Sequence, residues 1–269
     1  KKAGFTIATN SYPHNWTWHL SRVEGSPWND IRVRKAVNLA IDREGLRELL
    51  GGLAVPATGF LPSNDAWFGN PTFRVKYDPE AARKLLAEAG YSPAKPLRTR
   101  IAISASGSGQ MQPLPMNEFI QQNLAEVGVQ IDYEVVEWNT LINMWRAGAK
   151  ADISRGVTGI NYSYSLQDPY SALIRHLKCD LTAPVGTNWG YYCDPAMDKM
   201  FDDVRNTFDP VQQAKVLMRI HEKFVDDALF VMVVHDVNPR AMSSSVKGFV
   251  QAQSWNQSLS PVYISAPER

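Results

Sequence analysis

Four Asp-Pro dipeptides, Asp78-Pro79, Asp168-Pro169, Asp194-Pro195 and Asp209-Pro210, fix where much of this chain can turn helical. An aspartate carboxylate accepts from the orphan N–H groups of a first helical turn, and proline sits there without needing an N–H. After Pro79, Ala82, Leu85, Leu86 and Ala89 share one face, and Gly90 ends the helix. Pro195 leads into Met197, Met200, Phe201 and Val204. Pro210 leads into Ala214, Leu217, Met218, His221, Val225 and Ala228, and Pro169 into Leu173, Ile174 and Leu177.

Strand patterns alternate with these helices. Leu97, Thr99, Ile101 and Ile103 alternate with Arg98, Arg100 and Ala102, and Val129, Ile131, Tyr133 and Val135 with Gln130, Asp132 and Glu134. A helix from about Pro115 to Val127 lies between them, and Leu141 to Ala147 reads as another, stopped by Gly148. Asp152 to Val157 and Leu229 to Val234 read as further strands. This order predicts an α/β domain with helices covering a mixed sheet. Residues 1–22 and 238–269 lack helical period; the latter is strand-like and polar, with Val246, Phe249 and Trp255.

A length of 269 residues holds one large domain or two small ones. A formal charge of +1, with no basic run, argues against a nucleic-acid partner. The longest apolar run, Ala228 to Val234, is far too short for a membrane span. The chain begins at Lys1 without a signal peptide, which reads as a processed form or a fragment.

Cys179 and Cys193 flank a turn-rich stretch holding Pro184, Gly186, Thr187 and Asn188. Two separate buried thiols and a disulfide both fit. A bond closing such a loop adds about 3 kcal/mol in an oxidising compartment. Zinc needs more ligands than this pair supplies. His14 and His19 have no helical period to align them, so no metal site or other cofactor is expected. His221 lies on an apolar helix face and reads as a core histidine. His235-Asp236 reads as a strand end, because no activated nucleophile accompanies it; an enzyme is not expected.

The stretch Trp28 to Arg43, WNDIRVRKAVNLAIDR, predicts one amphipathic helix capped by Asn29 or Asp30. Val33, Ala36, Val37, Ala40 and Ile41 form its apolar face, with Arg32, Arg34, Lys35, Asn38 and Asp42 opposite. Its wording resembles the helix that opens the second lobe of the extracytoplasmic solute-binding proteins of ABC importers, the dipeptide, oligopeptide and nickel class. YDPEAARKLLAEAGY over Tyr77 to Tyr91, NLAEVGVQ over Asn123 to Gln130, VVEW over Val135 to Trp138 and SVKGFV over Ser245 to Val250 extend the likeness in order. The segment from Cys179 to Pro195 resembles the two-cysteine loop of the dipeptide-binding branch.

The resemblance implies a periplasmic binding protein-like α/β lobe, a mixed sheet covered by helices, with connecting strands to a missing first lobe. Residues 1–22 would connect from that lobe, 23–237 form the second lobe, and 238–269 return. It also implies a periplasmic location, ABC importer permease subunits as partners, a monomer at full length, and a disulfide between Cys179 and Cys193. Solute would lie in the cleft between lobes, touched by Trp18, Arg22, Gln110, Trp138, Asn139, Thr158, Asn161, Tyr162 and Tyr164.

Two departures bear on the solute. Family peptide binders carry a Trp and an amine-pairing Asp where Val157 and Ile160 stand here, and PLPMNEF lacks an arginine that would face a carboxylate. Asp168 replaces the missing acid only if an insertion precedes it. A zwitterion without partners in a cleft costs several kcal/mol. The aromatic and amide-rich remainder therefore predicts a neutral polar solute, such as a sugar or a capped or longer peptide. Core packing is the competing role for each tryptophan.

Overall fold

A computed structural model describes residues 4–12, 14–164, 168–253 and 256–265, with the Tyr164 side chain excluded. Trp255 lies outside the described residues. In chain order the fold runs β1 (Phe5–Ala8), β2 (Asn15–Leu20), α1 (Ile31–Ala40), α2 (Arg43–Leu49), β3 (Ala54–Pro56), α3 (Pro79–Glu88), β4 (Leu97–Ser104), α4 (Pro113–Glu126) and β5 (Val129–Val136). It continues through α5 (Trp138–Ala147), β6 (Gly159–Tyr164), α6 (Pro169–Leu177), α7 (Pro195–Asn206), α8 (Pro210–Asp226), β7 (Phe230–Asp236), β8 (Arg240–Ser243), β9 (Val246–Lys247) and β10 (Tyr263–Ile264).

All four Asp-Pro dipeptides open helices. Asp78 accepts from Ala81 N at 3.0 Å, Asp168 from Tyr170 N and Ser171 N at 2.9 Å, and Asp194 and Asp209 from Ala196 N and Gln212 N at 2.8 Å.

Six strands form one mixed sheet in the order β3-β7-β2-β6-β4-β5. β4 is parallel to β5 and β6, whereas β2 runs antiparallel to β6 and β7. Helices cover both faces, so all six residues of β2 are buried. Trp16 and Trp18 face the core shared with α1, α3 and α4. On the other side Ile160, Phe230 and Met232 meet Leu141, Leu173, Phe201 and Phe224 from α5 to α8. Two small antiparallel ribbons, β1–β8 and β9–β10, stand apart from the sheet. Residues 15–20, read from sequence as part of a connecting tail, thus lie in the middle of the sheet.

The stretch Trp28 to Arg43 is not one helix. Asp30 caps α1 through Arg32 N at 2.8 Å, Ile41 turns extended, and Asp42 caps α2 through Gly45 N at 3.0 Å. Nor is its polar face solvated: Arg34 and Asn38 are buried. Asn38 Nδ2 donates to Arg34 O and Phe230 O at 3.0 Å, while its Oδ1 accepts from Met232 N at 3.1 Å. Arg43 Nε donates to Met232 O at 2.9 Å, and Arg34 Nε to Asp227 O at 2.9 Å. β3 pairs only with Val234–Asp236, so Asn38 and Arg43 serve the β7 backbone beyond its reach, while Arg34 serves the end of α8 at Asp227.

Near the parallel strands, the expected strand and loop change places. Asp152–Ser154 is a short 3-10 turn, and the segment read as a loop supplies β6. Pairing between β2 and β4, with cover on both faces, outweighs the polar look of Asn161 and Ser163. α5 begins at Trp138 rather than Leu141, because Glu137 caps it through Asn139 N at 2.7 Å and Thr140 N at 3.3 Å.

Candidate ligand-binding site

Because β4, β5 and β6 are parallel, Ser104, Val136 and Tyr164 reach the same edge of the sheet. Open α/β sheets bind ligands beyond the carboxyl ends of their strands. Three segments converge at this edge: the loop 105–112 after β4, the first turn of α5 after β5, and the end of β6.

The loop is glycine-rich for steric reasons. Gly107 has φ +148°, and a Cβ there would stand 2.3 Å from a ring carbon of Trp138. Gly109 has φ +71° and lies against His14. Ser163 Oγ donates to Gly109 O at 2.6 Å, and Trp16 Nε1 donates to Gln110 O at 3.1 Å. The loop is thereby tied to both β2 and β6.

Beside it stand three rings in a row. Tyr162 is sandwiched between Trp138, at 5.7 Å between centroids with an 8° interplanar angle, and Trp145, at 5.1 Å and 12°. Trp145 was not picked out by the sequence reading. Its signal was spacing: seven residues beyond Trp138, two helical turns, it returns to the same face of α5. Burial raises the Tyr162 hydroxyl pKa, while the charges of Arg146 and Arg175 act to lower it.

The expected site residues fall into three groups. Trp138, Asn139 and Tyr162 gather at the carboxyl edge; Trp138 and Tyr162 are half-buried and Asn139 is exposed. Asn139 Nδ2 donates to Glu137 Oε1 at 3.3 Å. Tyr164 ends β6 at this edge, its backbone paired with Asn15, and its side chain lies outside the described residues.

Trp18, Gln110 and Asn161 are fully buried. Trp18 Nε1 donates to Asn117 Oδ1 at 3.0 Å, Asn117 Nδ2 to Asn161 Oδ1 at 3.3 Å, and Asn161 Nδ2 to Thr17 O at 3.0 Å. Gln110 Nε2 reaches Ser163 Oγ at 3.4 Å. These three side chains form hydrogen bonds within the lobe's interior.

Arg22 and Thr158 lie at the opposite end of the strands. Arg22 donates to Trp28 O and to Leu229 O, the latter at 3.2 Å, and Thr158 Oγ1 accepts from Trp28 Nε1 at 3.0 Å. Since β6 starts at Gly159 and rises about 3.3 Å per residue, some 13 Å separate Thr158 from Tyr162. A concavity of about 620 Å³ lined by Arg98, Thr99, Arg100, Gln130, Asp132 and Gly156 belongs to the amino-terminal halves of β4 and β5, away from the aromatic edge.

Val157 and Ile160 are buried, and Asp168 is engaged as the cap of α6. His221 is the core histidine expected: its Nε2 accepts from Phe60 N at 3.0 Å and Leu61 N at 3.1 Å. Cys179 and Cys193 form a disulfide. Among the described residues, no cluster of three or more His, Cys, Asp or Glu side chains could hold a metal ion, and no helix is long and apolar enough to cross a membrane.

Residues 2–179 match the family described as bacterial extracellular solute-binding proteins, family 5 Middle. The chain belongs to this family. The family 5 chain is 30% identical over 241 residues to a probable di/tripeptide-binding protein 5 of Pseudomonas aeruginosa, covering 88% of its own length and 44% of the relative. It is 27% identical over 233 residues to the periplasmic oligopeptide-binding protein OppA of Salmonella typhimurium, covering 83% of itself and 40% of OppA. Its fold matches HbpA2 from Haemophilus parasuis with a TM-score of 0.82 and 21% identity, over 98% of this chain and 50% of that one. The chain thus spans less than half the length of these curated relatives, and its fold is that of a periplasmic binding protein lobe.

Proposed function

We propose that residues 23–237, with β2, form one wall of an interlobe cleft that captures a peptide-like solute for an ABC importer. The observation that carries this reading is the carboxyl edge of the parallel strands. A tethered glycine-rich loop, the first turn of α5 and the Trp138–Tyr162–Trp145 stack converge there on a single rim. Flat aromatic surface with adjacent amides binds peptide units by contact area and leaves their main-chain groups to be hydrogen-bonded. The relatives named for di/tripeptide and oligopeptide binding support the peptide class over a sugar.

In this role the protein acts outside the cytoplasm. It closes on its solute and presents the closed form to permease subunits, without making or breaking bonds. Segments 1–14 and 238–269, including the ribbon β1–β8, would link this wall to the opposite one. Calorimetric titration of the 269-residue chain with a set of dipeptides and tripeptides tests the reading. Weak, saturable binding that falls with Trp138→Ala is expected. Binding that is insensitive to Trp138→Ala, or that favours sugars over peptides, would refute it.

A further inference from the structure

The loop after β4 has two unlike halves. Gly109 and Gln110 are held through their carbonyls by Ser163 and Trp16, and Met111 packs against the core that contains Trp16 and Trp18. Ala105 to Ser108 have no such hold. All four are exposed, and among the described residues their one hydrogen bond is local, Gln110 N donating to Gly107 O at 3.2 Å. This half lies instead on Trp138. A Cβ built on Gly107 would stand 2.3, 2.5 and 2.8 Å from Cε3, Cδ2 and Cζ3, three consecutive atoms of the six-membered ring. Such similar distances put Gly107 over the face of the indole rather than beyond its rim. The Trp138 ring is thus stacked by Tyr162 and roofed by Gly107.

A permanent roof over an aromatic ring is built from apolar side chains and long-range hydrogen bonds, which resist displacement. Residues 109–111 have both, and residues 105–108 have neither. Ala105, Ser106, Gly107 and Ser108 carry little apolar surface, so lifting them off the ring costs little. The solute and Gly107 cannot occupy that ring together. We infer that residues 105–108 are an autoinhibitory flap seated on Trp138, which the solute must lift before it can lie against the indole. Ser104, paired with Val136, and Gly109, pinned against His14, are its fixed ends. While the flap is down, the apparent affinity falls by the fraction of molecules whose ring is open, so a solute binds only if it outcompetes the chain's own backbone. The flap's displacement by solute rests on the peptide-like reading above; its seat on Trp138 does not.

The test is Gly107→Ala in the 269-residue chain. Its Cβ cannot stand 2.3 Å from the ring, and alanine is strained at φ +148°, so the flap must leave Trp138. Residue 107 is exposed, so the variant should fold, which its urea midpoint checks. Acrylamide quenching of Trp138, isolated as the emission lost in Trp138→Phe, should rise about threefold, and trialanine should bind the variant about fivefold or more tighter in calorimetric titration. A nitroxide label on Ser106→Cys, with Gly107 intact, should become more mobile as trialanine is added. Equal quenching in parent and variant, trialanine binding that the folded variant weakens or leaves unchanged, or a label that stiffens with trialanine would each overturn the flap. Raised quenching with trialanine bound by neither chain would support the seat on Trp138 and sink the peptide reading.

Discussion

The imidazole of His14 fills the space that a side chain on Gly109 would need: a Cβ there would lie 1.5 Å from His14 Cε1. Gly109 also has φ +71°, where any L residue is strained. Since Ser163 and Trp16 hold the same loop, neither partner can withdraw cheaply. Gly109→Ala should therefore destabilise the lobe by about 2–4 kcal/mol and displace the loop from the binding edge. Urea denaturation measures the first effect. A stability within error of the parent would show that the loop gives way.

Asn38 joins α1 to β7 by matching one strand carbonyl and one strand N–H. Alanine leaves both buried, at a cost of about 2–4 kcal/mol. Asn38→Ala should lower the urea midpoint without changing the slope. Loss of less than about 1 kcal/mol would mean that another group replaces the amide.

All five histidines are buried. Desolvation lowers His14 and His221 to about 4, His176 and His235 to about 3, and His19 well below its ordinary value. In the unfolded chain they titrate near 6.5, so between these values the unfolded state binds more protons. Stability should be complete above pH 6.5 and fall as the pH drops towards 4. At pH 5, His14 and His221 should each remove about 2 kcal/mol. A urea midpoint that stays flat from about pH 7.5 to about pH 5 would contradict this linkage.

Cys179–Cys193 closes a loop that also holds Asn188, whose Nδ2 donates to Lys178 O at 3.1 Å and to Tyr192 O at 2.6 Å. Reduction, or replacement of both cysteines by serine, should cost up to about 3 kcal/mol, because the Asn188 bonds keep part of the loop in place. Thermal melts with and without dithiothreitol report the difference. Two free thiols in the unreduced, denatured protein would exclude the bond.

The Asp-Pro helices and the strands Leu97–Ser104 and Val129–Val136 were legible because their signals are local: a cap, a fixed φ, an alternation. β6 was not. Asn161 and Ser163 look like loop residues until Asn117, Gly109 and Thr17 supply partners from far along the chain. The same blindness affected Arg34 and Asn38, which seem solvated by period but bond to backbone groups nearly two hundred residues away, at Asp227 and on β7. At the candidate edge, Trp138, Asn139 and Tyr162 are residues that wording shared with the family singles out, and the fold brings them together. Trp18 and Asn161 lie on strands covered on both faces, and Gln110 is buried in the loop after β4. Arg22 and Thr158 sit at the end of the strands opposite that edge, a distinction that requires strand direction.

The β7 flank beyond β3 would ordinarily present bare peptide groups, a template on which another chain could add a strand. Asn38 and Arg43 occupy the groups of Phe230 and Met232 instead, and Arg34 and Arg22 hold Asp227 O and Leu229 O just before the strand. One side of the sheet therefore ends in amide and guanidinium groups already committed to bonds, and offers little for edge-to-edge aggregation. The helices around residues 31–49 thus protect the solubility of the lobe as well as its stability.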